Sequence, residues 1–446
     1  MRNGDLLSTA GSQSATNEGG NKIVTVGRRT HVTWQDVTPE GYFNRVRTLN
    51  LDTGAWFPTC TLGSAYDDHA RAVMVADAGG FLHAVLSGHN TACTYRRSRA
   101  ANDASAWTDP VEIADGTYPC LICAPDGHLY LAMRNGGQNG LELYRRPPDG
   151  PWHHVGKVID RPAEYTGYAC FACGLGFDGD GVLHLVCDIY EGTHDQRGIH
   201  RAIVSRQSRE GGGTGRPGRG EPAPIPARPC GMDVLCQSTG LRHESIPPPV
   251  MTAQGNIALD PAGTPHVLYV YHLNRAGELI LASPDDSGIW RQQSIDASLR
   301  SAYPEHRAMF CRGTFTIDAA GVHRALVTLV PAGHSGWDAH LPTRPGLRGI
   351  AGGRVPARDP HADNPVVWLI SRDRGATFSV REAFPAAAEA RSPKYELPVS
   401  GVPWPGVPWP GGRGILYFDR TSLPVPGARE DPGFQNRVYF YRQAAW

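Results

Sequence analysis

One phrase recurs five times along the chain: an apolar run, an aspartate, one or more glycines, and a second apolar run. It reads VMVADAGGFLHAVL, CLICAPDGHLYLAM, GLGFDGDGVLHLVC, NIALDPAGTPHVLYV and TFTIDAAGVHRALVTL. Each copy is the signature of a β-hairpin, with Asp77, Asp126, Asp178, Asp260 and Asp318 at the turns. A repeat of this kind fixes the architecture before any single residue does, because one hairpin cannot bury its own apolar face and must stack on its neighbours. A second signal follows the hairpins. SRDRGATF, Ser371 to Phe378, fits the S-x-D-x-G-x-T-W/F turn called an Asp box, and weaker versions end at Trp56, Trp107, Trp152 and Trp290. An Asp box joins the outer two strands of a propeller blade, and its aromatic plugs between blades. Each unit is therefore a hairpin, a third strand, an Asp-box turn and a fourth strand. Four-stranded units at this period make a β-propeller.

Seven blades are expected, at about 21–62, 63–114, 115–161, 162–250, 251–298, 299–386 and 387–446, forming one all-β domain over 21–446. Helix patterns are nearly absent, FPAAAEARS being the short exception. Three segments interrupt the repeat: a Gly/Pro/Arg-rich stretch at 208–229, a long loop at 341–364, and the tandem VPWPGVPWPGG at 402–412. The first is read as a solvated loop and the last as extended. Residues 1–20 are small and polar and read as a loose, flexible tail. A strand from that tail would complete the last blade and close the ring.

Composition narrows the function. Lys plus Arg and Asp plus Glu balance at 43 each, so no general basic surface is offered to nucleic acid or to a membrane. No apolar run is long enough to span a bilayer. The N-terminus has no apolar signal-peptide core, so a cytoplasmic location is expected unless a leader has been trimmed. A monomer is expected. Ten cysteines in 446 residues are too few for a disulfide scaffold. Two CxxC pairs, Cys120/Cys123 and Cys170/Cys173, invite a zinc reading. Both lie in strand-like runs, where positions i and i+3 point to opposite faces, so each pair is badly placed to share one metal.

The strands of a hairpin run antiparallel, so the start of the first and the end of the second reach the same rim. His69 and Tyr118 each stand eight residues before a turn aspartate, Asp77 and Asp126. His89, Tyr190 and His272 each stand nine residues after a turn glycine, and Arg134 seven after Gly127. One rim thus collects His69, His89, Tyr118, Arg134, Tyr190 and His272, with Arg71 and Asn90 beside them. The recurring His83, His184 and His266 fall just past the turns, on the opposite rim, and read as structural. A cation and several proton-transfer groups suit β-elimination at a uronic acid. There the C5 proton becomes removable only when the carboxylate charge is neutralised. Arginine suits that task through its fork of donors, and histidine and tyrosine can exchange protons.

These residues carry a resemblance. DDHARAVMV…LHAVLSGHN, then TYRRS and TYPCLICAPDGHLYLAMR, resemble the seven-bladed propeller polysaccharide lyases, the ulvan lyases and related rhamnose–glucuronate lyases with BNR-type repeats. The carrying pattern is His69, His89 twenty residues on, then Tyr118 and Arg134 sixteen apart, and it extends over about 60–200. The resemblance implies cleavage of an ulvan-like or rhamnose–glucuronate glycan to a 4,5-unsaturated uronate. It places His69, His89, Tyr118 and Arg134 in catalysis, and Tyr190, His272, Arg71 and Asn90 in substrate binding. It implies no cofactor for the chemistry. Some relatives hold a structural metal, for which His200, Cys230 and Cys236 are a weak set outside any known spacing. Two other classes stay open. A sialidase-like hydrolase needs a carboxylate pair, for which Asp68, Asp188 and Glu191 are available, but the F/Y-R-I-P motif is missing and YRRP at 144–147 lacks its Ile. A non-catalytic glycan-binding propeller is compatible with the same fold.

Overall fold

The computed structural model describes residues 4–12, 15–16, 20–161, 168–192, 198–215, 217, 223–227, 232–237, 250–252, 257–273, 276–310, 315–332, 365–383, 390–394, 414–424 and 434–442. Every strand pairing among them is antiparallel, apart from one isolated parallel bridge between Ile159 and Ala227. The described strands form seven blade units, each four strands wide, with two short strands sharing the innermost position in blades 5 and 6. Blade 1 comprises Ile23–Val26, Arg29–Thr38, Gly41–Asn50 and Cys60–Ala65; blade 2 begins with Ala72–Ala76, Leu82–Leu86 and Thr91–Ala100. The long strand Val111–Cys123 then serves two blades. Its first half pairs with Thr91–Ala100 as the outer strand of blade 2, and its second half pairs with Leu129–Asn135 as the inner strand of blade 3. Gly140–Arg146 and His153–Asp160 complete blade 3. Blade 4 is built on Tyr168–Phe177 and Leu183–Gly192, blade 5 on Pro265–Leu273, and blade 6 on His323–Pro331.

Blade 7 takes Ala390–Lys394, Gly414–Pro424 and Phe434–Arg442 from the end of the chain, and its outer strand, Asp5–Gly11, from the beginning. The 1–20 segment is thus not simply a loose tail: its backbone satisfies the exposed edge of Phe434–Arg442, which would otherwise be left unpaired. Asp5 also accepts from Arg442 Nε and from Trp56 Nε1, the latter at 3.0 Å, so the closing strand is tied to blade 1 as well.

The core follows the same sevenfold logic. Seven apolar clusters each draw side chains from two adjacent blades. The Asp-box aromatics lie in or against these seams: Trp107 between blades 1 and 2, Trp152 between 2 and 3, Trp290 between 4 and 5, Phe378 between 5 and 6, and Trp56 edge-on to Phe440 between 7 and 1. In the full Asp box, Asp373 accepts from the Ser371 hydroxyl (2.7 Å) and the Thr377 N–H (2.9 Å), which folds the turn and turns Phe378 inward. At the hairpin turns, Asp77, Asp178, Asp260 and Asp318 accept the backbone N–H four residues on, at 2.8–2.9 Å. The histidines past those turns lock them further, His83 on Asp77 (3.0 Å) and His184 on Asp178 (2.9 Å).

Cys120 packs between blades 3 and 4 while Cys123 packs between blades 2 and 3, the two-sided placement that strand geometry dictates. The insertion at 208–229 differs from a solvated loop in its described part. Thr214–Gly215 pairs with Ala223–Pro224, and Ala227 exchanges hydrogen bonds with Val158 and Asp160 on the outer edge of blade 3. Ile225 and Ala227 are what hold it there, packing on the seam between blades 3 and 4. The expected loops at 341–364 and 402–412 lie outside the described residues, as does 384–389 of the expected helix; the rest of it begins the strand Ala390–Lys394. The one helix described is Ala297–Ala302, and none is long and apolar enough to cross a membrane.

Candidate functional site

All the turn aspartates lie at one end of the hairpins, so the residues singled out from the sequence gather at the other. Blade 2 supplies two of them from the loops flanking its inner hairpin. The loop Asp67–Arg71 is built as an Asx turn, with Asp67 Oδ1 accepting the His69 N–H at 2.8 Å. Buried amides of blade 1 pin it from behind. Gln35 Nε2 donates to the carbonyls of Asp67 (2.9 Å) and Ala70 (3.1 Å), and Asn44 Nδ2 donates to that of Ala70 (3.0 Å).

His69 of this loop stacks on His89 of the loop after Leu82–Leu86, their ring centroids 4.4 Å apart with an interplanar angle of 21°. Each faces a carboxylate. His89 Nδ1 bonds Asp67 Oδ2, and His69 Nδ1 stands 2.9 Å from Asp68 Oδ1 and 3.8 Å from Asp67 Oδ2. Burial alone would depress His69, but the carboxylates of Asp67 and Asp68 outweigh it and push its pKa up to about 9, so it is an imidazolium at neutral pH. Burial would likewise raise both carboxyls. Bonds to His69 and His89 hold Asp67 well below the usual range, and His69, helped by the charge of Arg71, does the same for Asp68. Arg71 itself is buried behind the loop rather than displayed for a ligand.

Blade 3 supplies Tyr118 and Arg134. Thr117 is in register with Arg134, and the ladder then slips between Thr117 and Cys120. That bulge holds Tyr118 at φ 59°, a left-handed conformation that costs a non-glycine residue roughly 1–2 kcal/mol, and Pro119 has no N–H with which to restore the pairing. Arg134 is 0% exposed. Its Nη2 donates to Asn90 Oδ1 (2.8 Å) and Thr117 Oγ1 (3.0 Å), its Nη1 to the Ala169 carbonyl of blade 4 (3.0 Å), and its guanidinium carbon lies 4.7 Å from the Tyr118 ring centroid. The sequence suggests an open fork ready for a carboxylate. In the structure the guanidinium is buried and both its terminal nitrogens donate to protein acceptors, drawn inward by Asn90, Thr117 and the Ala169 carbonyl.

Asn90, at φ 63°, joins the two halves of the site: its N–H donates to Thr117 Oγ1 at 2.9 Å and its side chain holds Arg134. Since Asn90 follows His89 and Thr117 precedes Tyr118, Arg134 fixes the His89–Asn90 and Thr117–Tyr118 segments against each other. Tyr190 and His272 occupy the matching strand ends in blades 4 and 5, paired with Cys170 and Val250. Their side chains lie outside the described residues, as do those of Glu191, His200 and Cys230. Asp188 is buried within its strand.

Residues 20–298, more than half of the chain, match the BNR repeat-containing family. The chain belongs to that family. No curated protein matches it in sequence. Among solved structures, this BNR-repeat chain is similar to a PL25 ulvan lyase bound to -[GlcA(1-4)Rha3S]-, with 14% identity, a TM-score of 0.64, and coverage of 98% of this chain and 96% of the other. It is also similar to the polysaccharide lyase Uly1, with 10% identity, a TM-score of 0.56, and coverage of 96% and 91%. The BNR-repeat propeller therefore shares its fold with ulvan lyases over nearly the whole chain.

Three contributors to the site are not singled out from the sequence. Gln35 lies in no motif, while Asp67 and Thr117 open the DDHARAVMV and TYPCLIC stretches without a role assigned to them; the DDH triplet at 67–69 is the one hint, since a carboxylate two residues before a histidine suits an Asx turn. Asp67, His69 and His89 also offer three ligand atoms within 4.8 Å of one another, a donor set that a zinc-like divalent ion accepts.

Proposed function

We propose that this protein is a polysaccharide lyase that cleaves a glycosidic bond to a uronic acid by β-elimination. The observation that carries the reading is the knot at the rim, in which a buried arginine joins a histidine segment of one blade to a tyrosine of the next. That arrangement sets two proton-transfer groups at fixed positions beside a cation, which is what the reaction needs.

In this reading His89 takes the C5 proton. The electron pair of that C–H bond forms the C4–C5 double bond, the C4–O bond breaks, and Tyr118 gives its hydroxyl proton to the departing oxygen. The two cations divide the electrostatic task. Arg134, beneath the Tyr118 ring, stabilises charge through the field and not through a direct fork, since it is fully buried and both its terminal nitrogens donate to protein acceptors. His69, with its side chain 29% exposed, is an imidazolium open to a ligand. A uronate is favoured as substrate because the similar PL25 ulvan lyase was solved bound to -[GlcA(1-4)Rha3S]-. The test is incubation with a panel of uronate glycans, ulvan and rhamnose–glucuronate polymers included. A lyase yields the ultraviolet-absorbing unsaturated uronate, whereas a hydrolase yields reducing ends without it and a binding module yields neither.

A further inference from the structure

Asp67 has both carboxylate oxygens assigned. Oδ1 closes the Asx turn on the His69 N–H at 2.8 Å, and Oδ2 meets His89 Nδ1. Its main chain is clamped by Gln35, a fully buried residue of the neighbouring blade, and turning the carboxylate away would break the bond to the His69 N–H that closes the turn. An ionised carboxylate only accepts hydrogen bonds. The imidazole nitrogen facing it must therefore carry a hydrogen, and a neutral ring has just one to place. Asp68 does not share this task, because its oxygen faces His69.

We propose that Asp67 is a positioning residue that holds His89 as the Nδ1–H tautomer, leaving Nε2 as the atom that accepts a proton from substrate. The functional half of this rests on the lyase reading; the tautomer itself does not. Because Asp67 also ties down the backbone of His69, a single carboxylate sets both the orientation of one imidazole and the turn that presents the other.

The test pairs spectroscopy with kinetics. In nitrogen-labelled full-length protein, the His89 signals are those lost in His89→Gln. They should show a protonated Nδ1 and an unprotonated Nε2. Asp67→Asn should mix or reverse that pattern, whereas Asp68→Asn should leave it in place. Asp67→Asn should also lower kcat by about 10²–10⁴-fold, as a wrong tautomer does in a serine protease, with KM nearly unchanged. In a His89→Gln background it should subtract almost nothing more. A wild-type His89 protonated at Nε2 overturns the proposal, even if Asp67→Asn does not fold. So does a His89 pattern unchanged by Asp67→Asn, a loss that adds fully to that of His89→Gln, or a bare Nδ1 whose signal moves when EDTA strips a metal. If no uronate glycan yields product, the lyase reading fails while the tautomer remains measurable.

Discussion

Arg134 lies under Tyr118, its guanidinium carbon 4.7 Å from the ring centroid, and reaches across to the Ala169 carbonyl of the next blade. It is therefore both part of the site and part of the seam. Arg134→Ala should cut turnover by at least about 10²–10³-fold. It should also destabilise the fold by roughly 3 kcal/mol or more, since it strands buried acceptors on Asn90, Thr117 and Ala169. Arg134→Lys should recover little, because one ammonium cannot span those acceptors. Turnover and denaturant melts read the two effects separately. A variant of normal activity would remove Arg134 from the site.

Tyr118→Phe isolates the hydroxyl. The ring stays over the guanidinium, so the variant should remain folded, while the lyase rate should fall at least about 10²-fold. His89→Ala should behave alike in rate. Should both variants keep most of the wild-type rate with binding unchanged, the proton-transfer pair lies elsewhere.

His69 gives a pH signature. Its folded pKa is raised from the ordinary 6.5 to about 9, so the stability it contributes is fully present below pH 6.5 and is lost as pH rises toward 9. The stability difference between wild type and His69→Gln should shrink across that window. A difference that is flat from pH 6.5 to 9 would mean that the imidazolium is not held by Asp67 and Asp68.

His31 should act in the opposite sense. It is buried in blade 1, bonding Thr48 at 2.8 Å and Asn102 at 2.9 Å, and burial lowers its pKa to about 4. A depressed base contributes stability above pH 6.5 that is lost as pH falls toward 4. Its ring should remain neutral at pH 5 by NMR titration; a charged ring there would contradict its place in the seam.

Much of this was legible in the chain. The alternation and turn aspartates specify hairpins locally, so the blades emerge from period and spacing alone, and the rim set follows from antiparallel geometry. The open question was always side-chain direction. Nothing in YLAMR says that Arg134 turns inward, since that depends on Asn90 and Thr117, which are 44 and 17 residues away. Asp67 was equally opaque, because its meaning comes from the packing of His89 onto it. The 208–229 insertion reads as solvated by composition, yet a few apolar residues, Ile225 and Ala227, suffice to dock it.

Deleting residues 1–12 should remove the outer strand of blade 7 together with the Asp5–Arg442 contact. A large fall in melting temperature is expected, with association through the bared edge. Light scattering and a thermal melt would check it; an unchanged melt would show that the strand is dispensable.

That strand also orders events in time. The ribosome releases Asp5–Gly11 before Phe434–Arg442, so the strand can touch blade 1 early, at Asp36 and Trp56, but its main pairing partner arrives only after the other blades have been made. Blades 2 and 3, which carry His89 and Tyr118, can stack on each other long before then. The nascent chain should pass through an open arc in which the candidate rim already exists and two sheet edges await each other. Such edges invite intermolecular pairing, so the yield of this protein should be governed by how quickly Asp5–Gly11 and Phe434–Arg442 meet.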